Sequence, residues 1–318
     1  MSLKPLVSII IPCKEVDPYT IESINGCKRL HYSNIEIILL PDSSTNEIAG
    51  VKVISTGPVS PGNKRNLGVK NSNGEFCAFI DNDAYPRNDW LDNALDQLND
   101  QQVGGVGGPG LTPEADGFLQ KAGGYILSSF MVGNLSSRYK AKNCFESDDI
   151  HSCNFVARKS VIESAGGWNE KYWPGEDTLM CLAIKKLGKK LIESSEVVVY
   201  HHRRSLFKPH LKQVSRFGEH RGFFTKKFPE NSAKLTYFFP TLLILFFIAG
   251  LSLSLFFSFF IFVVLLGLVT YLISSFIAAA QQVRSAKLLF LVWLGIIVTH
   301  ITYGSYFLSG LIKRDLKR

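Results

Sequence analysis

Short apolar runs alternate with amphiphilic segments in the N-terminal part of the chain. Four mostly apolar runs have strand length, at residues 6–11, 35–40, 51–54 and 76–80, and the first is a continuous β-branched run. Such runs are typical of strands that are buried on both faces of a sheet. Residues 21–30 and 61–70 lie between them and are predicted to form helices, the second with Pro61 in its first turn. This alternation predicts an α/β fold with a doubly wound, mostly parallel sheet, which binds ligands at the carboxyl ends of its strands.

The glycine-rich segment at residues 104–110 interrupts this pattern. It carries too many glycines for a regular element, so we expect it to be irregular. No G-K-[ST] follows it, and a phosphate-binding loop is therefore not expected there.

A much longer apolar stretch follows in the C-terminal part. Residues 236–280 contain no charged side chain, and 45 such positions in a row exceed any helix of a soluble core. Helices of about 20 apolar residues can cross a bilayer, and we predict them at about 236–257, 259–280 and 288–308. The chain is accordingly expected to consist of a catalytic-type domain, residues 1–225, and a membrane region, residues 226–318.

The composition indicates where the protein works. The net charge is +8, and Lys and Arg cluster beside the apolar segments, which favours anionic lipid and phosphorylated substrates over nucleic acid. The N-terminus lacks the basic, apolar and small-residue series of a secretory signal. The six cysteines form no C-x-x-C pair and are expected to remain reduced. We therefore expect a multi-pass protein of the cell (inner) membrane with its catalytic domain in the cytoplasm.

The third apolar segment differs from the first two. Its residues 299–305 are mostly polar, and the basic residues Lys313 and Arg314 follow it. Three complete spans would carry this basic tail out of the cytoplasm, against the positive-inside rule. We therefore expect the segment to lie shallowly in the membrane or to re-enter it, with the tail on the cytoplasmic side.

The candidate chemistry begins at Asp81-Asn82-Asp83, directly after the strand predicted at 76–80. Two carboxylates at a strand end offer the hard oxygen ligands that Mg²⁺ or Mn²⁺ prefers, and such an ion would bridge the phosphates of a nucleotide-sugar. It would also stabilise the departing diphosphate. The alternative is an ordinary solvated turn, since Asp and Asn are frequent turn residues.

Further polar residues lie where a site at the strand ends would need them. They follow the first two predicted strands or belong to the helix before the fourth, and comprise Pro12, Glu15, Asp42, Lys64 and Arg65. His201 and His202 end another strand-like run and are candidates for metal or diphosphate binding. Because side chains alternate along a strand, at most one of these histidines points inward. The alternative is that both form the polar end of a strand near a membrane surface.

Glu176 and Asp177 begin a predicted helix whose apolar residues keep helical spacing and which ends at Gly188. A carboxylate at this position faces the site from a rigid element. Alternatively, it caps the helix and interacts favourably with the helix dipole.

Five motifs occur in an order that is typical of one enzyme family. They are VSIIIPCKE at the first strand, LLPDSST after the second, KRNLG, GEFCAFIDND, and GGW followed by GED. On these motifs the chain resembles a family 2 glycosyltransferase of the GT-A fold, over roughly residues 5–225. The resemblance implies that Asp177 is the general base and that Asp83, assisted by Asp81, binds the metal and the diphosphate. It also implies nucleotide contacts from Pro12, Glu15, Asp42 and Arg65.

Two positions depart from the family pattern. Pro41 stands before Asp42 where two acidic residues are usual, so recognition of the nucleotide's base rests on fewer contacts. Gln213 and Arg216 resemble the Q-x-x-R-W element that processive members use at the acceptor end, but Phe217 replaces the tryptophan. This replacement argues against a processive synthase, and Arg216 is alternatively a surface cation that faces lipid.

The expected reaction is an inverting, metal-dependent transfer from a nucleoside-diphosphate sugar to a lipid-linked or glycan acceptor at the cytoplasmic membrane face. Such a transfer serves cell-surface polysaccharide or glycoconjugate synthesis. Lys64, Asp81 and Glu176 are expected among the substrate-binding residues. A polyprenyl-phosphate sugar synthase would share every donor-site residue, and a non-catalytic membrane scaffold would keep only the fold. Asp83 and Asp177 argue against the scaffold.

Overall fold

The computed structural model describes residues 4–140 and 143–316. Within this part, the chain forms two compact units, and each unit contains two stretches of sequence. The first unit comprises Met1–Pro113 and Lys140–His202, and the second comprises Glu114–Tyr139 and Arg203–Arg318. Because these units describe compactness only, the domain boundary expected at residue 225 stays a prediction.

The described strands all belong to the first unit. They are β1 (Val7–Pro12), β2 (Ile35–Leu40), β3 (Lys52–Val53), β4 (Phe76–Phe79), β5 (Ala84–Pro86), β6 (Val103–Gly107), β7 (Gly110–Leu111), β8 (Phe145–Glu146), β9 (Phe155–Arg158), β10 (Lys190–Glu193) and β11 (Val199–His201). Eight of them form a sheet of order β3-β2-β1-β4-β9-β6-β10-β8, and three form a sheet of order β5-β11-β7. The pairs among β3, β2, β1 and β4 are parallel, whereas β9 is antiparallel to both of its neighbours. The predicted mostly parallel α/β sheet is thereby confirmed.

The described α-helices are distributed over both units. The first unit contains α1 (Pro18–Lys28), α2 (Pro61–Lys70), α3 (Trp90–Leu98), α6 (Lys159–Ser164) and α7 (Glu176–Lys186). The second contains α4 (Phe118–Ser128), α5 (Ser136–Tyr139), α8 (Lys208–Lys227), α9 (Pro229–Ser232), α10 (Leu235–Ser254), α11 (Phe259–Ala280) and α12 (Ala286–Ile312). Helix α1 begins earlier than predicted because Asp17 and Thr20 form a capping box at its start.

The glycine-rich segment is where the sequence-based expectation was wrong. Residues 103–107 form the buried strand β6, which pairs with β9 and β10. Glycine is needed here because a Cβ on Gly105 would lie 2.6 Å from the ring of Phe155, and one on Gly104 would lie 2.6 Å from Ile184. These glycines therefore let large neighbouring side chains approach the strand, which outweighs the low strand propensity of glycine.

A hydrogen-bond network around Glu36 joins the amino ends of the parallel strands. Its carboxylate accepts hydrogen bonds from the Ser8 hydroxyl at 2.6 Å and from the Asn73 backbone at 2.5 Å. Partial burial alone would raise the pKa of Glu36, but the bonds from Ser8, Asn73 and Gly74 outweigh it and lower this pKa below its usual range. The network therefore stabilises the fold only while Glu36 is ionised.

Glu36→Gln is expected to lower the free energy of unfolding by about 1 kcal/mol near neutral pH, since the bonds to this half-buried carboxylate are partly screened. The folded-state pKa is the lower one, so the stabilisation is present above the unfolded-state pKa and is lost as the pH falls through the folded-state pKa. The difference in stability between wild type and Glu36→Gln should therefore shrink as the pH falls. Thermal unfolding of both proteins between neutral and acidic pH measures this difference. Glu75→Gln changes an exposed carboxylate nearby and serves as the control. Equal stability of the Glu36→Gln variant at neutral pH would contradict the prediction.

Three helices of the second unit, α10, α11 and α12, are long and apolar enough to cross a membrane. Helix α12 is unbroken over its 27 residues, so the expectation that this segment re-enters the membrane was wrong. His300, one of the polar residues that motivated this expectation, has hydrogen-bond partners inside the unit. The His300 ring contacts the Tyr271 hydroxyl at 2.9 Å and the Met131 carbonyl oxygen at 2.8 Å. A shallow position of α12 stays a prediction.

Candidate active site

Lys64 holds together the carboxyl ends of two parallel strands. Its side chain is buried at 4% exposure, and its ammonium group donates to the Cys13 carbonyl at 2.6 Å and the Leu40 carbonyl at 3.1 Å. The third donor reaches a carboxylate oxygen of Asp42 at 2.5 Å. Because β1 and β2 end at these carbonyls, Lys64 and Asp42 shape the floor of the strand-end site. A direct contact of either residue with a substrate stays a prediction.

Arg65 connects the end of β4 to the start of α7. Its guanidinium donates to Asp81 at 3.0 Å and to Glu176 at 2.8 Å, and it stacks over the Trp168 ring at 5.0 Å. The side chain is buried at 3% exposure, and its Nε has no hydrogen-bond acceptor among the described residues. A guanidinium presents its donors in a rigid fork, which suits it to fixing two carboxylates at once. Arg65 therefore sets the position of Asp81 and of the α7 start together.

Glu176 is the more deeply buried of the two acidic residues at the start of α7. Burial, together with the adjacent charge of Asp177, raises the pKa of Glu176 to about 7, although Arg65 acts in the opposite direction. A carboxyl that is held by a guanidinium in this way is suited to positioning Arg65.

Asp177 lies beside Glu176 and is half-buried. One of its carboxylate oxygens accepts the backbone N–H of Thr178 at 2.8 Å, so the sequence-based alternative of a helix-terminal contact is also present. Asp177 also lies close enough to Arg65 to raise the pKa of its guanidinium, although burial of that group acts in the opposite direction. Gly175 adopts a φ of 114° directly before the helix, a conformation that favours glycine. The turn thereby presents Asp177 beside the group of carboxylates that Arg65 organises.

Asp81, Asp83 and His201 form a compact group of potential metal ligands. One ligand atom from each residue lies within 4.8 Å of the other two. The two aspartates lie between β4 and β5, and His201 reaches them because β11 pairs antiparallel with β5, opposite Ala84. The His201 Nε2 lies 3.2 Å from the Asp83 carboxylate. The sequence thus predicted three residues that the fold does bring together.

The turn that carries the aspartates is held by its middle residue. The Asn82 amide donates to the Thr20 hydroxyl at 3.1 Å, and Thr20 belongs to the capping box of α1. This bond fixes the turn against α1 through its middle residue, between the two aspartates. Asn82 therefore anchors the turn that carries the two candidate ligands.

The chemistry of these residues fits a divalent cation. Carboxylate oxygens and an imidazole nitrogen suit Mn²⁺, and the oxygens suit Mg²⁺. The acidic side chains near the guanidinium of Arg65 outnumber that one positive charge. They are Asp81, Asp83, Glu176 and Asp177. A second cation placed among these carboxylates would lower their mutual repulsion.

His202 points away from this group, as the alternation along β11 predicts. Its Nε2 lies 2.8 Å from the Glu22 carboxylate, and its ring packs against Tyr19 with centroids 4.3 Å apart. Its backbone N–H donates to the Asp83 carbonyl at 3.0 Å. His202 therefore contributes to holding Asp83 in place through the main chain, while His201 faces the candidate ligands.

The remaining predicted residues lie at other places. Pro12 ends β1 and is buried, whereas Glu15 is exposed just after that strand. Gln213 and Arg216 lie on α8 in the second unit, where Gln213 is half-buried and Arg216 is exposed. Their predicted roles in substrate binding stay predictions.

Sequence reasoning missed two residues that lie directly behind His201. The Cys153 sulfur lies 3.5 Å from His201 Nδ1 and 2.7 Å from His151 Nδ1. Both residues belong to a stretch without clear periodicity, so only the H-x-C spacing could have drawn attention to them.

Comparison with known proteins identifies the family. Residues 8–165 match the family model described as glycosyl transferase family 2. A dolichyl N-acetyl-alpha-D-glucosaminyl phosphate 3-beta-D-2,3-diacetamido-2,3-dideoxy-beta-D-glucuronosyltransferase of Methanococcus voltae is 23% identical over 241 residues, which cover 70% of this chain and 74% of that protein. The probable glycosyltransferase YdaM of Bacillus subtilis is 24% identical over 271 residues, which cover 76% of this chain and 64% of that protein.

The fold is also that of solved glycosyltransferases. A mannosyltransferase of Pyrobaculum calidifontis, solved in complex with GDP-Man and Mn²⁺, superimposes with a TM-score of 0.58 at 16% identity, over 99% of this chain and 89% of that one. This similarity confirms the predicted GT-A fold. Residues 8–165 thus carry the match to glycosyl transferase family 2, and the chain is a glycosyltransferase.

Proposed function

We propose that this chain transfers a sugar, with inversion, from a nucleoside-diphosphate sugar to a lipid-linked or glycan acceptor at the cytoplasmic face of a membrane. The observation that carries the proposal is the group formed by Asp81, Asp83 and His201 at the carboxyl end of β4. In open α/β sheets, ligands bind at this edge.

The residues of the chain divide the work between binding and proton transfer. Asp81, Asp83 and His201 would hold Mg²⁺ or Mn²⁺, which supplies charge stabilisation to the departing diphosphate when bound. Asp177 takes the proton from the acceptor hydroxyl as that oxygen attacks the anomeric carbon. Arg65 keeps Asp81 and Glu176 in place, so the metal-binding group and the α7 start form one rigid arrangement.

A lipid-linked acceptor is supported by the membrane helices and by one relative. The name of the Methanococcus voltae relative describes a glucuronosyltransferase that acts on a dolichyl N-acetylglucosaminyl phosphate. An acceptor of this class offers a sugar hydroxyl, which has a proton that Asp177 can remove. A bare lipid phosphate is already an anion, and Asp177 would then only position it.

We also propose that the protein lies in the cell (inner) membrane with both the catalytic domain and the C-terminal tail in the cytoplasm. The basic residues beside the apolar helices support this arrangement, which requires that α12 lies shallowly in the membrane and does not cross it. A C-terminal tag would then be protected from protease added outside intact cells. Tag accessibility from outside only would contradict the proposed orientation of the tail.

The donor and acceptor can be identified in one assay. Detergent-solubilised full-length protein and native lipid extract are incubated with UDP-, GDP- and dTDP-sugars, each with Mg²⁺, with Mn²⁺ or with a chelator. We expect one donor to yield a lipid-soluble product that requires a divalent cation. Mild acid and reductive treatment of that product then separates a sugar linked directly to lipid phosphate from a sugar linked to another sugar. Transfer at an equal rate in the presence of the chelator would contradict the metal site.

A further inference from the structure

A chain of hydrogen bonds runs from the main chain to the candidate metal ligand His201. The His151 Nε2 lies 3.2 Å from the Gly108 carbonyl oxygen, and its Nδ1 lies 2.7 Å from the Cys153 sulfur. The same sulfur lies 3.5 Å from His201 Nδ1. On its other side, the His201 ring faces Asp83 through Nε2 at 3.2 Å.

We propose that Cys153 and His151 are positioning residues that hold His201 in the tautomer required for metal binding. This inference rests on the metal site of the proposed function. It concerns residues that touch neither substrate nor metal, and it explains why a thiol and a second imidazole lie behind the site.

The donor and acceptor of each hydrogen bond in this series follow from the bond to the Gly108 carbonyl. A backbone carbonyl can only accept a hydrogen bond, so the His151 Nε2 must carry the proton that it donates to Gly108. In a neutral imidazole the other nitrogen is then an acceptor, and the Cys153 S–H donates to it. The lone pairs of the sulfur are left to accept the Nδ1–H of His201.

This order leaves the His201 Nε2 without a proton on the side of Asp83. The lone pair of this nitrogen then faces the side of the ring on which the Asp83 carboxylate lies, 3.2 Å away, where one cation can contact both groups. Metal coordination by histidine requires such an unprotonated nitrogen. In metal sites, the second ring nitrogen of a ligating histidine almost always donates to a fixed acceptor, which here is the Cys153 sulfur.

Cys153, the central residue of this series of hydrogen bonds, is itself held firmly in the fold. Cys153 is buried at 3% exposure and lies in a short 3₁₀ turn, Ser152–Asn154. The next residue, Asn154, accepts from the Trp90 indole at 2.8 Å and donates to the Val197 carbonyl at 2.7 Å. The sulfur therefore cannot move away from His201 without breaking buried hydrogen bonds, which makes it a fixed acceptor.

The first test measures Mn²⁺ affinity by the electron paramagnetic resonance signal of the free ion, titrated with full-length protein in detergent. Cys153→Ala is expected to weaken binding by roughly 10- to 100-fold, the usual effect of losing a partner of a ligating histidine. Cys153→Ser keeps a donor and an acceptor at this position and is expected to recover most of the affinity. Cys27→Ala removes a thiol that is buried in α1 and should leave the affinity unchanged. Unchanged affinity of Cys153→Ala would overturn the inference.

A second test reads the tautomer without any metal. In metal-free protein labelled with ¹⁵N-histidine, the His201 signal, identified by its loss in His201→Ala, should show the proton on Nδ1. His151→Phe, which removes both ring nitrogens, should mix the two tautomers of His201, whereas His31→Phe should not. A wild-type His201 that carries its proton on Nε2 would overturn the inference. Wild-type protein with the expected tautomer but no Mn²⁺ affinity would instead contradict the proposed function.

Discussion

Replacing Asp177 with asparagine is expected to lower the rate of sugar transfer by roughly 10²–10⁴-fold, the usual contribution of a general base. The affinity for the nucleotide-sugar should stay close to that of the wild type, because the base acts on the acceptor and not on the donor. Asparagine keeps a side-chain oxygen, which can still accept the backbone N–H of Thr178. The start of α7 should therefore remain folded, and a lower transfer rate would reflect the loss of the general base instead of a change in structure.

The measurement separates turnover from binding. Single-turnover transfer and donor affinity are determined for Asp177→Asn and for Asp148→Asn, a variant that breaks the ion pair with Lys185 on the same helix. The control is expected to keep both quantities, since exposed ion pairs contribute little. An unchanged transfer rate in Asp177→Asn would remove the base assignment. An equal loss of donor affinity and turnover would reassign Asp177 to donor binding.

The local elements could be predicted because their signals lie within a few consecutive residues. The strand Ile35–Leu40 and the helix Pro61–Lys70 have the predicted bounds, since periodicity and the position of proline define them locally. Strand β6 was missed because the space that its glycines leave is filled by Phe155 and Ile184, which are distant in sequence. Such compensation between remote residues leaves no trace in a local pattern.

In the candidate site too, some residues could be located from the local sequence, whereas others depend on contacts between residues that are distant in sequence. Asp81 and Asp83 could be located because they follow an apolar strand directly, and His201 could be suggested because strand alternation limits which histidine points inward. Burial of Arg65 between two carboxylates could not be inferred, since the sequence suggested a cation that faces phosphate. The hydrogen bonds through Cys153 could not be inferred either, because they join residues from three separate segments, namely Gly108, His151 with Cys153, and His201.

Asp83→Asn tests the metal site most directly. The amide has the size of the carboxylate but no charge, so it should bind a divalent cation much more weakly than Asp83 does. We expect transfer to fall by roughly 10²–10³-fold at a Mn²⁺ concentration that saturates the wild type, as is typical when stabilisation of a departing anion is lost. Asp100→Asn, which changes an exposed aspartate in the turn between α3 and β6, provides the matched control.

The dependence on Mn²⁺ concentration decides between a metal ligand and a structural aspartate. If Asp83 is a ligand, raising Mn²⁺ should restore part of the transfer in Asp83→Asn, because mass action compensates for weaker binding. A fold defect would not respond to the ion and would lower the temperature of thermal unfolding in the presence of chelator as well. Combining Asp83→Asn with Cys153→Ala should weaken Mn²⁺ binding by less than the product of the two single effects. Both changes act on one metal centre, and contributions to one centre are not independent. Fully multiplicative effects would show that Asp83 and Cys153 serve separate functions.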